Sequence, residues 1–135
     1  MSVYDEEREK FFALLTRKAC TRKRAAEILS GFRVPDEVKE SFMNEAEDIG
    51  IIDDEGYARL FADGHRHWGN AKITYELGAR GISRRDIMSA LDEIDDESDR
   101  AREIAESLRR SGIDERKIKS RLMSRGFSGR AVSNV

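Results

Sequence analysis

The sequence predicts an all-α protein, built as a curved array of three tandem three-helix repeats. Residues 72–87, KITYELGARGISRRDI, recur 45 positions later as KIKSRLMSRGFSGRAV, residues 117–132. Lys72, Ile73, Leu77, Arg80, Gly81 and Ser83 are matched by Lys117, Ile118, Leu122, Arg125, Gly126 and Ser128. In both copies, apolar residues four apart precede a Gly-apolar-Ser break, which reads as a helix, a left-handed stop and a capped second helix. Charged residues make up 39% of the chain and there is one Pro, a composition of exposed, charge-laced helices and not of a sandwich or barrel. A period of this length marks stacked helical units, which generally work by presenting a surface.

The elements follow in order. Asp5 is placed to cap a first helix with Phe11, Phe12, Leu14 and Leu15 as its buried stripe. Thr21 caps a second helix that ends near Gly31, and Pro35-Asp36 opens a third. That third helix carries Val38, Phe42, Ala46 and Ile49 inward until Gly50 stops it. These segments form a weaker copy of the repeat, offset by 48 residues, with Arg33 where the later copies carry Gly and Pro35 where they carry Ser. Asp53-Asp54 opens a fourth helix containing Tyr57, Leu60 and Phe61, and Gly69-Asn70 separates it from a fifth that runs to Gly81. Ser83 with Asp86 forms a capping box for the sixth, which bears Ile87 and Leu91. The acidic stretch 92–99 leads into a seventh with Ala101, Ile104, Ala105 and Leu108. Gly112 ends it, Asp114 caps the eighth and Ser128 the ninth. The economical grouping is 1–52, 53–94 and 95–135, three helices to each.

Composition narrows the function classes. The single Cys20 favours a reducing compartment and reads as a small packed side chain. The polar start MSVYDEEREK is not a secretory signal, and the longest apolar run, Phe11 to Leu15, is far too short for a membrane span. The expectation is a soluble, cytoplasmic, monomeric protein without a cofactor. No GxxxxGK[ST], GxGxxG or HExxH occurs, so nucleotide hydrolysis and metalloprotease chemistry have no foothold and the reading is non-enzymatic. His65 and His67 are read as unsuited to metal, because positions two apart on a helix diverge and no Cys lies near. The acids of 93–99 lack the spacing of a calcium loop. Tyr57 and Phe61 are read as core and not as base-stacking platforms, while Trp68 is read as either a joint between units or a surface anchor.

The net charge of −2 conceals segregation: −5 over residues 1–55, +3 over 56–91, −6 over 92–107 and +6 over 108–135. Such a chain repels polyanions at one place and attracts them at another.

With its repeats laid out, the chain resembles the RecX family of bacterial regulators of the RecA recombinase. The resemblance rests on FALLTRKACTRKRAAEIL at 12–29, GIIDDEGYARLFA at 50–62, GNAKITYELGARGI at 69–82 and LMSRGFS at 122–128. It implies a curved helical array that lies in the groove of the RecA–DNA filament and bridges neighbouring protomers. There it would inhibit ATPase, strand exchange and co-protease activity. The chain departs from the family pattern at Arg33, in place of a usual glycine, and at Asn70, where proline is common.

The residues expected to meet such a partner form a basic stripe. In the eighth helix Ile118 and Leu122 face inward, which leaves Arg116, Lys117, Lys119 and Arg121 on the outer arc, with Arg125 continuing the row. The second unit offers Lys72 and Arg80, then Arg84 and Arg85 at the next helix start. The stripe suits acidic protein surfaces or filament phosphates. Two other classes remain open: a stand-alone helical DNA-binding module, and a repeat scaffold for another protein.

Overall fold

The computed structural model describes residues 3–17 and 20–135. Met1 and Ser2 of the polar N-terminal stretch, and Lys18 and Ala19 within the 12–29 segment, lie outside the described residues. Nine helices occur among the described residues: α1 (Asp5–Thr16), α2 (Arg22–Leu29), α3 (Asp36–Asp48), α4 (Asp54–Gly64), α5 (Asn70–Ala79), α6 (Arg84–Glu93), α7 (Glu97–Arg110), α8 (Glu115–Ser124) and α9 (Gly129–Ser133). The extended pairing seen among them is one isolated parallel bridge, Cys20 with Ile52.

The helix starts follow their sequence signals. Thr21, Asp53, Ser83, Asp96, Asp114 and Ser128 each accept a backbone N–H of the first turn that follows. Helix α1 is different. Tyr4 holds its cap position without a side-chain hydrogen bond, and Asp5 is already helical. The stops obey a shared geometry. Gly50, Gly81, Gly112 and Gly126 all have positive φ. At each, the glycine N–H bonds the carbonyl three residues back, and the next residue's N–H bonds the carbonyl five back. This is the Schellman pattern, and the residue after the glycine (Ile51, Ile82, Ile113 or Phe127) turns back onto the helix it ends.

Three separate apolar clusters form. Phe11, Leu15, Leu29, Phe42, Ala46 and Ile52 anchor the cluster of α1–α3. Ala58, Ala62, Ile73, Leu77, Ile82 and Ile87 anchor that of α4–α6. Ala101, Ala105, Ile118, Leu122, Phe127 and Ala131 anchor that of α7–α9. Two apolar residues expected inside are not there. Leu14 is exposed because it sits about 100° around the helix from Leu15, off the face that Phe11 and Leu15 share. Ile49 is 60% exposed because α3 closes at Asp48 and the Gly50 turn hands the inward positions to Ile51 and Ile52.

The clusters are joined through the second helix of each bundle. Helices α2, α5 and α8 meet end to start. The Gly69 N–H, at the start of α5, donates to Arg125 O at the end of α8 at 2.8 Å. The Lys23 ammonium, at the start of α2, donates to Ala79 O at the end of α5 at 3.1 Å. Each contact gives an orphan C-terminal carbonyl a partner and sets a negative dipole end against a positive one. A side chain has no room at these meetings. A Cβ on Gly81 would lie 2.7 Å from Lys23 Cβ, and one on Gly126 would lie 2.8 Å from Lys72 N. A second device repeats with the same logic. Asp54, first residue of α4, accepts the Arg22 N–H that opens α2 at 2.8 Å, and Glu97, first residue of α7, accepts the Asn70 N–H that opens α5 at 2.7 Å.

Candidate interaction surface

The nine basic side chains singled out from the sequence fall into different settings. Burial of Ile118 and Leu122 turns Arg116, Lys117, Lys119 and Arg121 outward, and all four are exposed. None of these four side chains makes a hydrogen bond or ion pair with another described residue. Asp114 caps α8 through the Lys117 N–H and leaves that ammonium free. The result is an unpaired cationic arc about one helix, held by two fully buried anchors.

Arg84 and Arg85 are exposed on the first turn of α6, where the helix dipole opposes them. Arg85 lines a corner with Arg22, Glu47 and Asp54.

The row from the second bundle is engaged within the fold. Lys72 is half-buried with its ammonium 4.3 Å from the centre of the Trp68 ring, and its backbone abuts Gly126. Arg80 bonds Glu76 through both the carboxylate at 2.9 Å and the carbonyl at 2.8 Å, and lies over Phe61. The Glu76 hydrogen bond raises the Arg80 pKa above its ordinary value. Arg125 is half-buried, with its carbonyl in the bond to Gly69. The two rows expected to run on as one stripe are therefore unequal. The α8 arc is exposed, whereas Lys72 lies against Trp68, Arg80 against Glu76 and Phe61, and Arg125 bonds Gly69 through its carbonyl.

The aromatic residues cluster at the end of α4. Phe61 stacks on His65 at 4.0 Å, His65 lies 4.3 Å from Trp68, and Tyr57 stacks on Phe61 at 6.3 Å. Tyr57 and Phe61 are half-buried against the second core, as expected of packing residues. The Trp68 carbonyl accepts from Arg100 of the third bundle, while its ring packs against the second core beneath the Lys72 ammonium. The two histidines lie beyond the last helical residue, Gly64, so the helical argument for their divergence does not apply; their rings are 6.0 Å apart. Partial desolvation lowers the pKa of the exposed His67, with Arg125, His65 and Lys72 acting in the same direction. No group of three or more metal-capable side chains occurs among the described residues. Burial also pushes the Cys20 thiol up, which makes it a poor nucleophile.

Arg100 was not singled out by sequence reasoning, yet it is the most heavily bonded side chain at a joint. It is 3% exposed. It donates to the carbonyls of Asp95 at 2.8 Å, Arg66 at 3.2 Å and Trp68 at 2.6 Å, and to Asn70 Oδ1. Burial lowers its pKa, opposed by Glu97, Asp96 and Asp95. The signal in the sequence was faint: one of two arginines in a strongly acidic stretch.

Fold and surface together define a class, a tandem array of helical bundles that offers an exposed cationic helix and engaged joints. A family model described as the second three-helix domain of RecX matches residues 53–91. The regulatory protein RecX of Mycobacterium avium is 31% identical over 134 residues, covering 90% of this chain and 78% of that protein. The chain belongs to the RecX family of regulatory proteins.

The RecX of Caldanaerobacter subterraneus subsp. tengcongensis is 29% identical over 121 residues, which cover 86% of this chain and 61% of the relative. That of Thermobifida fusca is 32% identical over 83 residues, 58% of this chain and 44% of the relative. The chain thus matches 44–61% of the length of these two relatives. The crystal structure of RecX from Lactobacillus salivarius superposes with a TM-score of 0.81 at 22% identity, covering 96% of this chain and 91% of that one. This likeness bears on the fold. No helix among the described residues is long and apolar enough to cross a membrane.

Proposed function

We propose that this chain is a non-enzymatic regulator that binds the RecA–DNA filament, bridges adjacent protomers in its groove and inhibits ATPase, strand exchange and co-protease activity in the cytoplasm. Membership of a family named for regulation supports the class. The unpaired cationic arc of α8 is the observation that carries the mode of binding. Cations that make no hydrogen bond or ion pair within the fold can meet acidic protein surfaces or phosphates in a groove, singly weak and jointly useful.

Three units bounded at 1–52, 53–94 and 95–135 would give such a protein the reach to touch more than one protomer. Occupancy of the groove obstructs substrates that must enter it. Preference for one filament state shifts assembly by the difference in affinity between states.

The test is RecA's single-stranded-DNA-dependent ATPase rate and filament length, with this protein added. Both should fall with rising concentration. Unchanged values at micromolar excess would sink the proposal. Tight, salt-sensitive binding to duplex DNA without RecA would point instead to a DNA-binding module.

A further inference from the structure

A groove of about 600 Å³ lies where α5, α6 and the start of α7 meet. Its apolar side is formed by Tyr75, Met88 and Leu91, and its rim by Asp92, Asp95 and Asp96. Tyr75 is 74% exposed and Met88 50%, so two large side chains that would ordinarily be covered face water beside one another.

The repeat shows what is missing here. At the corresponding corner between the first and second bundles, Arg22 opens α2 and pairs with Glu47 of the last turn of α3. Arg85 lines the same corner, and Arg59 pairs with Glu55. There Glu47 and Glu55 each have an arginine partner from within the chain. The residue that opens α5 in Arg22's place is Asn70, which carries no charge. Asp92, in the last turn of α6, makes no ion pair with a described residue, and the Asp95 carboxylate has only the electrostatic pull of the buried Arg100. Arg100 brings one positive charge beneath this rim, but its donors are spent on the carbonyls of Arg66, Trp68 and Asp95 and on Asn70. The corner therefore keeps a surplus of negative charge around an apolar floor.

We infer that this groove docks a cationic protein segment bearing an aliphatic anchor. The anchor seats between Tyr75 and Met88, and a lysine or arginine of the same segment takes at the rim the place that Arg22 fills at the first corner. This surface uses none of the α8 cations and does not depend on the reading of RecA as the partner.

The probe is a short amphipathic Lys/Leu peptide, titrated into the full chain while backbone amide shifts are followed. Two controls have the same length: a Lys/Ser peptide of equal charge and a Glu/Leu peptide. The Lys/Leu peptide should shift the amides of residues 71–75 and 88–96, saturate, and weaken with added salt. The Asp92→Lys/Asp95→Lys double variant should weaken it about tenfold, and Tyr75→Ser/Met88→Ser likewise. All four positions have exposed or half-exposed side chains outside the cores, and helical content of each variant confirms folding. Equal binding of the Lys/Ser peptide, or unchanged binding by either double variant, would overturn the assignment. So would concentration-dependent shifts of the same amides without peptide, because the occupant would then be a second copy of this chain.

Discussion

Substitution of Gly69 by alanine isolates the joint between the second and third bundles. Its backbone is ordinary extended geometry, so the residue is not glycine for conformational reasons. A Cβ there would lie well inside van der Waals contact with the carbonyl of Gly126 and the amide nitrogen of Phe127. These are backbone atoms held by the α8 stop, and they cannot swing aside. The clash is relieved only by moving α8 away from α5, which breaks the Gly69 N–H bond to Arg125 O. Overpacking of this kind costs about 1–3 kcal/mol and the lost hydrogen bond about 1 kcal/mol, so the joint weakens by roughly 2–4 kcal/mol. Urea unfolding followed by circular dichroism should show a lower midpoint and a broadened or divided transition, since stacked units melt separately when their interface fails. The control is Gly78→Ala, within α5, where an added Cβ meets nothing within 4 Å. It should stabilise by up to about 1 kcal/mol through helix propensity. If Gly69→Ala proves as well tolerated as Gly78→Ala, the described joint is wrong.

Arg100→Met should destabilise by about 2–4 kcal/mol, because three backbone carbonyls lose a donor, and Arg100→Lys should recover less than half of that in the same unfolding measurement. Asp54→Ala and Glu97→Ala should each cost about 1 kcal/mol, as loss of a helix cap does, and the two should add because they act at different joints. Stability should decline as pH falls below the ordinary histidine pKa of 6.5. The His67 pKa is lowered in the fold, so the unfolded chain takes up a proton first and is favoured from that pH downward, until the folded form protonates as well. His67→Asn should flatten this part of the profile, and a profile that keeps its slope would assign it to other groups.

Most of the scaffold was legible in the sequence because it is encoded locally. Caps such as Ser83 and stops such as Gly81 act within a single turn, and apolar pairs such as Ile118 and Leu122 declare a face by spacing alone. The joints were far less legible. Asp54 and Glu97 read as first-turn acids of their own helices, yet each also caps a helix that begins 32 or 27 residues earlier. Arg100 reads as one more charge on an exposed helix, and only the approach of the α4–α5 connection buries it. The same limit applies to the basic stripe. Helical spacing placed Arg116, Lys117, Lys119 and Arg121 outward, but nothing local to Lys72 or Arg80 announced that Trp68 and Phe61 would engage them. Periodicity names the face of a helix; it does not say what arrives to cover it.

The proposed binding of a RecA filament through the exposed cations of α8 can be tested in one assay. The most direct measurement is inhibition of RecA's single-stranded-DNA-dependent ATPase by the native chain and by the Lys117→Glu/Arg121→Glu variant, with helical content and melting temperature matched beforehand. The native chain should inhibit, the variant should fold normally because both side chains are exposed and make no ion pair, and about tenfold more of it should be needed for the same effect. An ATPase rate untouched by the native chain, or inhibition equal in the two proteins, would contradict it.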